Sequence, residues 1–430
     1  MNTKDKGDSL ARINQILAAK AARELGVHAV SGRTKDAPYC NTGGYDDSKK
    51  NSKLEKTAFN NQDSITAIDW LRLTTNDLKS YRETMGSLTT SIAPNVSAQD
   101  DRCTGILEEA GMQVHWTEKG LHGYETSASI KIWKDNDYLT VGNLAYSEAG
   151  RNKGGLFELT GVGCKVLQLE YPALWLELYN VLMLADWRIS RVDIALDLSG
   201  DYAKEQGYSV PLLFKQAVNE GLFKSDAQRN PLMKQSTQTV GDWADLVCGN
   251  LSAEDYDPLQ HCPAGLTAYI GNRKSSDDFF RIYEKGKQLL GAMAEPESID
   301  RGWVRIEHEM SRKASGRTIP LDVMLRPDEY FCAGRSKVRA IMEQLRTHRD
   351  LQAIQSWQRT QFKREKSLLL SKKVHWAKHT YGRLLHTLKA QGFSDTEIID
   401  KLTRTSGLKE FVFDLLEEST PAQNWLKEVA

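Results

Sequence analysis

RVDIALDL, Arg191 to Leu198, is the stretch that decides the fold. Side chains alternate between the two sides of a strand. Arg191, Asp193, Ala195 and Asp197 therefore share one side, and Val192, Ile194, Leu196 and Leu198 the other. The apolar side must face a core, which leaves two carboxylates and a cation on the opposite surface. Two downstream stretches repeat this arrangement. FFRIYEK (279–285) groups Phe279, Arg281, Tyr283 and Lys285. WVRIEHEM (303–310) groups Trp303, Arg305, Glu307 and Glu309, backed by Val304, Ile306 and Met310. If the three pair in one sheet, carboxylates, cations and a tyrosine converge on one surface.

Around them, a first strand begins at Ile65 (ITAIDWLRLT), and strand-like runs follow at 111–116, 126–133, 137–142, 155–159, 164–170, 187–198, 265–271, 278–285 and 303–310. Helical patterns fall at 76–88, 101–110, 172–185, 209–221 and 285–294. Long alternation with hairpin-like spacing predicts an α+β domain over 65–315, an antiparallel sheet with helices packed on one face. Residues 225–262 are polar and rich in Gly and Asp, and read as a long loop or insertion. Residues 1–64 read as a short helix (8–25) followed by a linker poor in apolar residues. A helical C-terminal region is expected over 336–430. Its segment 359–389 holds nine cations against the single Glu365, a net +8, and the tail from 394 is acidic. Ser394 and Glu397 form a capping box that opens a helix there.

The 430 residues suggest two or three domains. Lys+Arg and Asp+Glu are both 57, so the zero net charge argues against a wholly basic nucleic-acid coat protein while hiding strong local segregation. No apolar run approaches the ~20 residues of a membrane span; the best, Tyr171 to Trp187, contains Glu177 and Asp186. The first residues, MNTKDKGDSLARINQ, lack the hydrophobic segment of a signal peptide. Six scattered cysteines without a CxxC pair fit unpaired thiols in a reducing cytosol. No GxxxxGK[S/T] loop is present, which disfavours a helicase. The nearest approach to a tyrosine-recombinase box, His379 to Arg383, has the wrong spacing, and no tyrosine follows Tyr381.

Bunched carboxylates repel one another. Two readings of the polar surface follow: a solvated sheet face laced with Arg–Asp ion pairs, or an all-oxygen site for Mg²⁺ or Mn²⁺. The basic segment is either a solvated face or, given the interleaved Trp376 and Tyr381, a contact to DNA backbone. His375 and His379 share a helix face and read either as a metal-binding pair or, with His386 and nine cations nearby, as part of that same phosphate-facing surface.

The order of the segments adds a resemblance. R-x-D-x-A-x-D, then YIGNRKSS (269–276), RIYEKGK (281–287) and WVRIE (303–307) follow ITAIDWLRLT and LTGVGCKVLQLE (159–170). Together they resemble the replication initiation factor family, the rolling-circle initiators of plasmids and filamentous phages, over roughly residues 65–315. The resemblance implies a nicking–joining enzyme. A tyrosine attacks one strand of origin DNA, stays linked through a 5′-phosphotyrosine bond and frees a 3′-OH primer. The family's acidic residues fall on Asp193, Asp197 and Glu307, the expected Mg²⁺ or Mn²⁺ ligands, with Arg191 holding carboxylates or touching phosphate. The larger superfamily's His-hydrophobe-His metal motif does not occur here. Tyr283 is the first candidate nucleophile, since YEKGK matches the family's Tyr-then-Lys pattern, and Tyr269 is the rival. A free phenol, with a pKa near 10, is a poor nucleophile at neutral pH, and Arg281 and Lys285 are placed to stabilise the phenolate. DNA contacts are expected from Arg191, Arg273, Lys363, Arg364, Lys366, Lys372, Lys373, Lys378 and Arg383. The expected partner is origin DNA, double- and single-stranded, in the cytoplasm of a bacterial host. A host helicase, a polymerase and a second copy of the chain are further partners it allows, and no membrane. The alternative is a non-enzymatic origin or operator binder.

Overall fold

Ile68 and Ile194 sit opposite each other at the centre of a ten-stranded antiparallel sheet. The computed structural model describes residues 64–90, 105–117, 119–134, 137–149, 152–227, 236–290, 299–312 and 316–402. The expected N-terminal helix and linker, apart from Ser64, and the acidic tail beyond 402 lie outside them.

The strands are β1 (Thr66–Thr75), β2 (Met112–Thr117), β3 (Thr126–Lys134), β4 (Asp137–Ser147), β5 (Gly154–Leu159), β6 (Arg188–Leu198), β7 (Thr237–Val240), β8 (Thr267–Ile270), β9 (Asp278–Glu284) and β10 (Val304–Ser311). They run in the order β2-β3-β4-β5-β1-β6-β10-β9-β8-β7. The three decisive stretches are therefore adjacent, as β6, β10 and β9. Directly paired residues share a sheet face. One row of such pairs runs His115, Ser129, Asn143, Glu158, Arg72, Arg191, Ser311 across seven strands. The sheet thus has one continuous polar face.

The opposite face is the core. Val192, Ile194, Leu196 and Leu198 are fully buried there. Helices cover it. Trp175, on helix Pro172–Met183, donates its indole N–H to the Met324 carbonyl (2.8 Å), and Trp187 donates to Thr84 Oγ1 (2.7 Å) on helix Leu78–Leu88. Further along the sheet, Phe223 stacks on Phe280 at 4.5 Å and Phe280 on His308 at 4.2 Å.

Two elements differ from the sequence reading. Residues 164–170 are not a strand: helix Gly161–Lys165 runs into a π-helical turn, Val166–Glu170. Gly163 lets this segment lie against β4, because a Cβ there would stand 2.3 Å from the Val141 carbonyl oxygen. Gln168 then accepts from the Ile68 N–H (2.9 Å) and donates to the Ile68 carbonyl (2.8 Å). Those backbone groups border a register shift in β1 between Ile68 and Trp70, so the side chain replaces ladder bonds that the bulge interrupts. The second difference is in 225–262, expected as a loop, which contains β7 and helix Ala244–Cys248.

The described residues up to 364 form one compact unit and those from 365 a second. The helical region expected from 336 therefore begins within the first unit. There, helix Ser336–His348 and the first turns of the 40-residue helix Leu351–Ala390 belong with the sheet. In the second unit, Ser394 and Glu397 bond reciprocally to each other's backbone N–H, the expected capping box. No helix among the described residues is long and apolar enough to cross a membrane.

His308 is fully buried in the core, with Nε2 2.7 Å from Asp278 Oδ1, and among the described residues its Nδ1 finds no hydrogen-bond partner. Burial, reinforced by the Arg335 and Arg317 charges and opposed by Asp278, lowers its pKa to about 4. Between pH 6.5 and 4 the unfolded chain then binds more protons than the folded one, so stability falls as pH drops through that window. The expected loss is on the order of 3 kcal/mol. Denaturant midpoints at pH 7 and pH 4.5 measure it; a His308→Phe chain with the same pH slope as wild type would refute the assignment.

Candidate active site

The polar face of β6, β10 and β9 is laced with ion pairs, and its carboxylates are buried. Register sets it: Arg305 stands opposite Asp197 and Tyr283, Glu307 opposite Arg281, and Glu309 opposite Asp193 and Phe279. Each carboxylate meets a guanidinium. Arg191 grips Asp193 through two bonds (2.8 and 2.5 Å) and reaches Glu309 at 3.2 Å. Arg273 donates to Glu309 at 3.0 Å, and Arg281 to Glu307. Arg305, with a fully buried side chain, holds Asp197 through two bonds (2.6 and 2.8 Å) and Asp69 through a third (2.7 Å).

The face divides into a closed corner and an open one. The closed corner holds Asp197, Arg305 and Tyr283. The Trp303 indole N–H donates to Asp197 at 2.7 Å, and Trp357 packs edge-on against Trp303 at 5.3 Å. Lys165 lies 3.4 Å from Asp69 and 5.9 Å from the Phe362 ring centroid. The first turns of the long helix thus close this end. Burial favours the neutral Asp69 carboxyl, but the Arg305 and Lys165 charges win and hold its pKa below the usual range. The open corner is a hollow lined by Asp193, Arg273, Phe279, Arg281, Glu307 and Glu309. Burial raises the Asp193 pKa to about 7; Arg191 opposes the shift, and Glu309 and Glu307 add to it.

The two tyrosines fall on opposite sides of this division. Tyr283 is 3% exposed and donates its hydroxyl to Glu307. Burial first, and then the Glu307 charge, push its pKa well up, despite Arg281 4.9 Å from its ring centroid. Arg281 and Lys285 were expected to favour the phenolate here; the neutral phenol wins, because its proton bonds a buried carboxylate. Lys285 opens helix Lys285–Leu290, with its ammonium 6.0 Å from the Tyr283 ring centroid. Tyr269 is half-buried, stands opposite Arg281, and stacks on Phe279 at 5.7 Å, at the margin of the open hollow.

The expected ligand trio does not fit a divalent cation in this arrangement. Asp197 is enclosed by Arg305 and Trp303, while Asp193 and Glu307 are bonded to Arg191 and Arg281. Among the described residues no group of three or more His, Cys, Asp or Glu could hold a metal ion.

Lys363, Arg364, Lys378 and Arg383 are exposed on helix Leu351–Ala390, and Lys366 is half-buried. The side chains of Lys372, Lys373, His375 and His379 lie outside the described residues. Sequence reading gave no role to Asp69, Lys165 or Arg305. For Asp69 there was a signal, a lone carboxylate inside the apolar run of ITAIDWLRL.

Residues 187–403 match a family model described as replication initiation factor, a span that takes in β6 to β10 and the described helices after them. The chain belongs to the replication initiation factor family. A solved structure similar to it, titled as a rolling circle replication initiator protein from Geobacillus stearothermophilus, is 20% identical, with a TM-score of 0.33 over 57% of this chain and 74% of that one. No curated protein matches the chain. Within the family match lie the decisive strands and both candidate tyrosines; Asp69 and Lys165 lie before it.

Proposed function

We propose that this family member initiates rolling-circle replication by nicking origin DNA, with Tyr269 as the attacking residue. The observation that carries the reading is the position of Tyr269, half-buried at the rim of a hollow that Arg273 and Arg281 line. The Tyr269 phenol oxygen attacks phosphorus, the bond to the 3′-oxygen breaks, and a 5′-phosphotyrosine link forms while the 3′-OH is freed. Guanidinium groups suit a phosphodiester because they offer paired N–H donors along with charge. Asp193, with a pKa of about 7 in the same hollow, suits a group that takes the phenol proton near neutral pH. Tyr283 is then a positioning residue that holds Glu307 and, through it, Arg281. No step is routed through a metal ion, since the carboxylates are already bonded to guanidiniums.

That complete pairing favours a second reading, in which the face is structural and the chain only binds origin or operator DNA. Incubation of supercoiled origin DNA with the protein in Mg²⁺ buffer, followed by denaturing electrophoresis, separates the two. Nicked DNA carrying covalent protein supports the nicking reading; binding without any nick supports the other.

The exposed cations of the long helix give a separate expectation. Replacing Lys363, Lys378 and Arg383 together by Ala should weaken duplex binding and flatten its salt dependence by about 0.9 log units per lost phosphate contact. An unchanged slope would make the basic segment a solvated face.

A further inference from the structure

The polar face does not stop at the hollow. Its row of paired residues continues from Arg191 through Arg72, Glu158, Asn143 and Ser129 to His115 at the β2 edge. Five inter-strand spacings of about 4.8 Å make this roughly 24 Å. Glu158, the carboxylate of the row, is paired with Arg72 and accepts from Asn143 Nδ2 at 3.1 Å, so it leaves little uncompensated negative charge. Arg72 also lies 3.5 Å from the ring of His122, an exposed residue held at φ 53° in the β2–β3 connection. Beside the row, Lys131 places its ammonium 4.2 Å from the ring centroid of Tyr138, which is 36% exposed. Burial, and then the Lys131 charge, lower the His115 pKa, so the ring is a neutral hydrogen-bonding group close to the Lys131 ammonium.

We infer that the β2–β5 half of this face is a track for single-stranded DNA leading away from the hollow. The inference rests on the nicking reading for its starting point. Its own grounds are the Lys131 charge, a row of uncharged hydrogen-bonding groups and an exposed aromatic ring on one sheet face, the combination that binds a single strand through phosphate contacts and base stacking. A duplex lacks the splayed bases such a ring stacks on.

The test uses the full chain and fluorescence anisotropy with an oligo(dT) length series, a probe that carries no origin sequence. Tyr138→Ala combined with Lys131→Ala should weaken binding of the longer oligonucleotides about ten-fold and lower the salt slope by about 0.7. Duplex affinity and melting temperature should not change, because Tyr138 is exposed and Lys131 only half-buried beside it. Lys131→Gln, which keeps the stem, should reproduce the slope change alone. Unchanged oligo(dT) affinity overturns the track, as does an equal loss on duplex. Adduct formation at the origin, measured on the same preparations, keeps the two ideas apart. Adducts with unaffected oligo(dT) binding would remove the track and leave nicking; weakened oligo(dT) binding without any wild-type adduct would do the reverse.

Discussion

Tyr269→Phe should abolish the covalent protein–DNA adduct and strand cleavage together, while DNA affinity stays within about two-fold of wild type. Only the hydroxyl is removed, and that oxygen is the atom that would form the new phosphodiester bond. The ring stays stacked on Phe279, so folding should be little affected. Tyr283→Phe is the companion measurement. It removes a buried bond to Glu307, at a cost of about 1–3 kcal/mol, and should lower the rate of adduct formation without eliminating it. The reverse pattern, with adduct lost in Tyr283→Phe and kept in Tyr269→Phe, would show that the closed corner opens during the reaction and that Tyr283 attacks. Adduct in both variants would end the tyrosine mechanism for this chain.

Arg305→Met should be among the most destabilising single changes in the molecule, by roughly 3–5 kcal/mol. Methionine fills part of the volume but leaves buried Asp197 without its cation and Asp69 with Lys165 alone. Asp197→Asn should also act on stability, because Asp197 holds Arg305 and Trp303 in place. The double variant should lose less than the sum of the two single losses, since removing both members relieves the unpaired charge. Chemical denaturation of the four proteins is the measurement. An Arg305→Met midpoint equal to wild type would mean that the corner hydrates freely and that its ion pairs are incidental.

The strands that build the site were legible because each has a purely apolar side, and alternation leaves no other pairing for Val192, Ile194, Leu196 and Leu198. Their adjacency was legible only as a condition. What escaped was whatever depends on covering the polar side. Nothing in WVRIEHEM distinguishes an exposed Arg305 from a buried one, because Trp357, which packs on Trp303 and helps close this corner, comes some fifty positions later. The same holds for the tyrosines: YEKGK and YIGNR give no measure of burial, and burial is what separates their chemistry. Residues 164–170 failed for a local reason. Their apolar spacing fits a strand, but glycines on the approach allow a tight helical path, and Gln168 is used to repair the β1 backbone.

The central position of β1 also bears on how the chain is made. Ile68 pairs with Ile194, which leaves the ribosome 126 positions later. At 5–20 residues per second, that is a wait of about 6–25 s. During it, β1 can offer β5 only one edge, and its other edge stays unpaired until β6 arrives. A nascent chain stalled before Leu198 would expose that edge, where strands of neighbouring copies could add. Ribosome-bound chaperone occupancy should therefore persist across this interval and fall once β6 has cleared the exit tunnel.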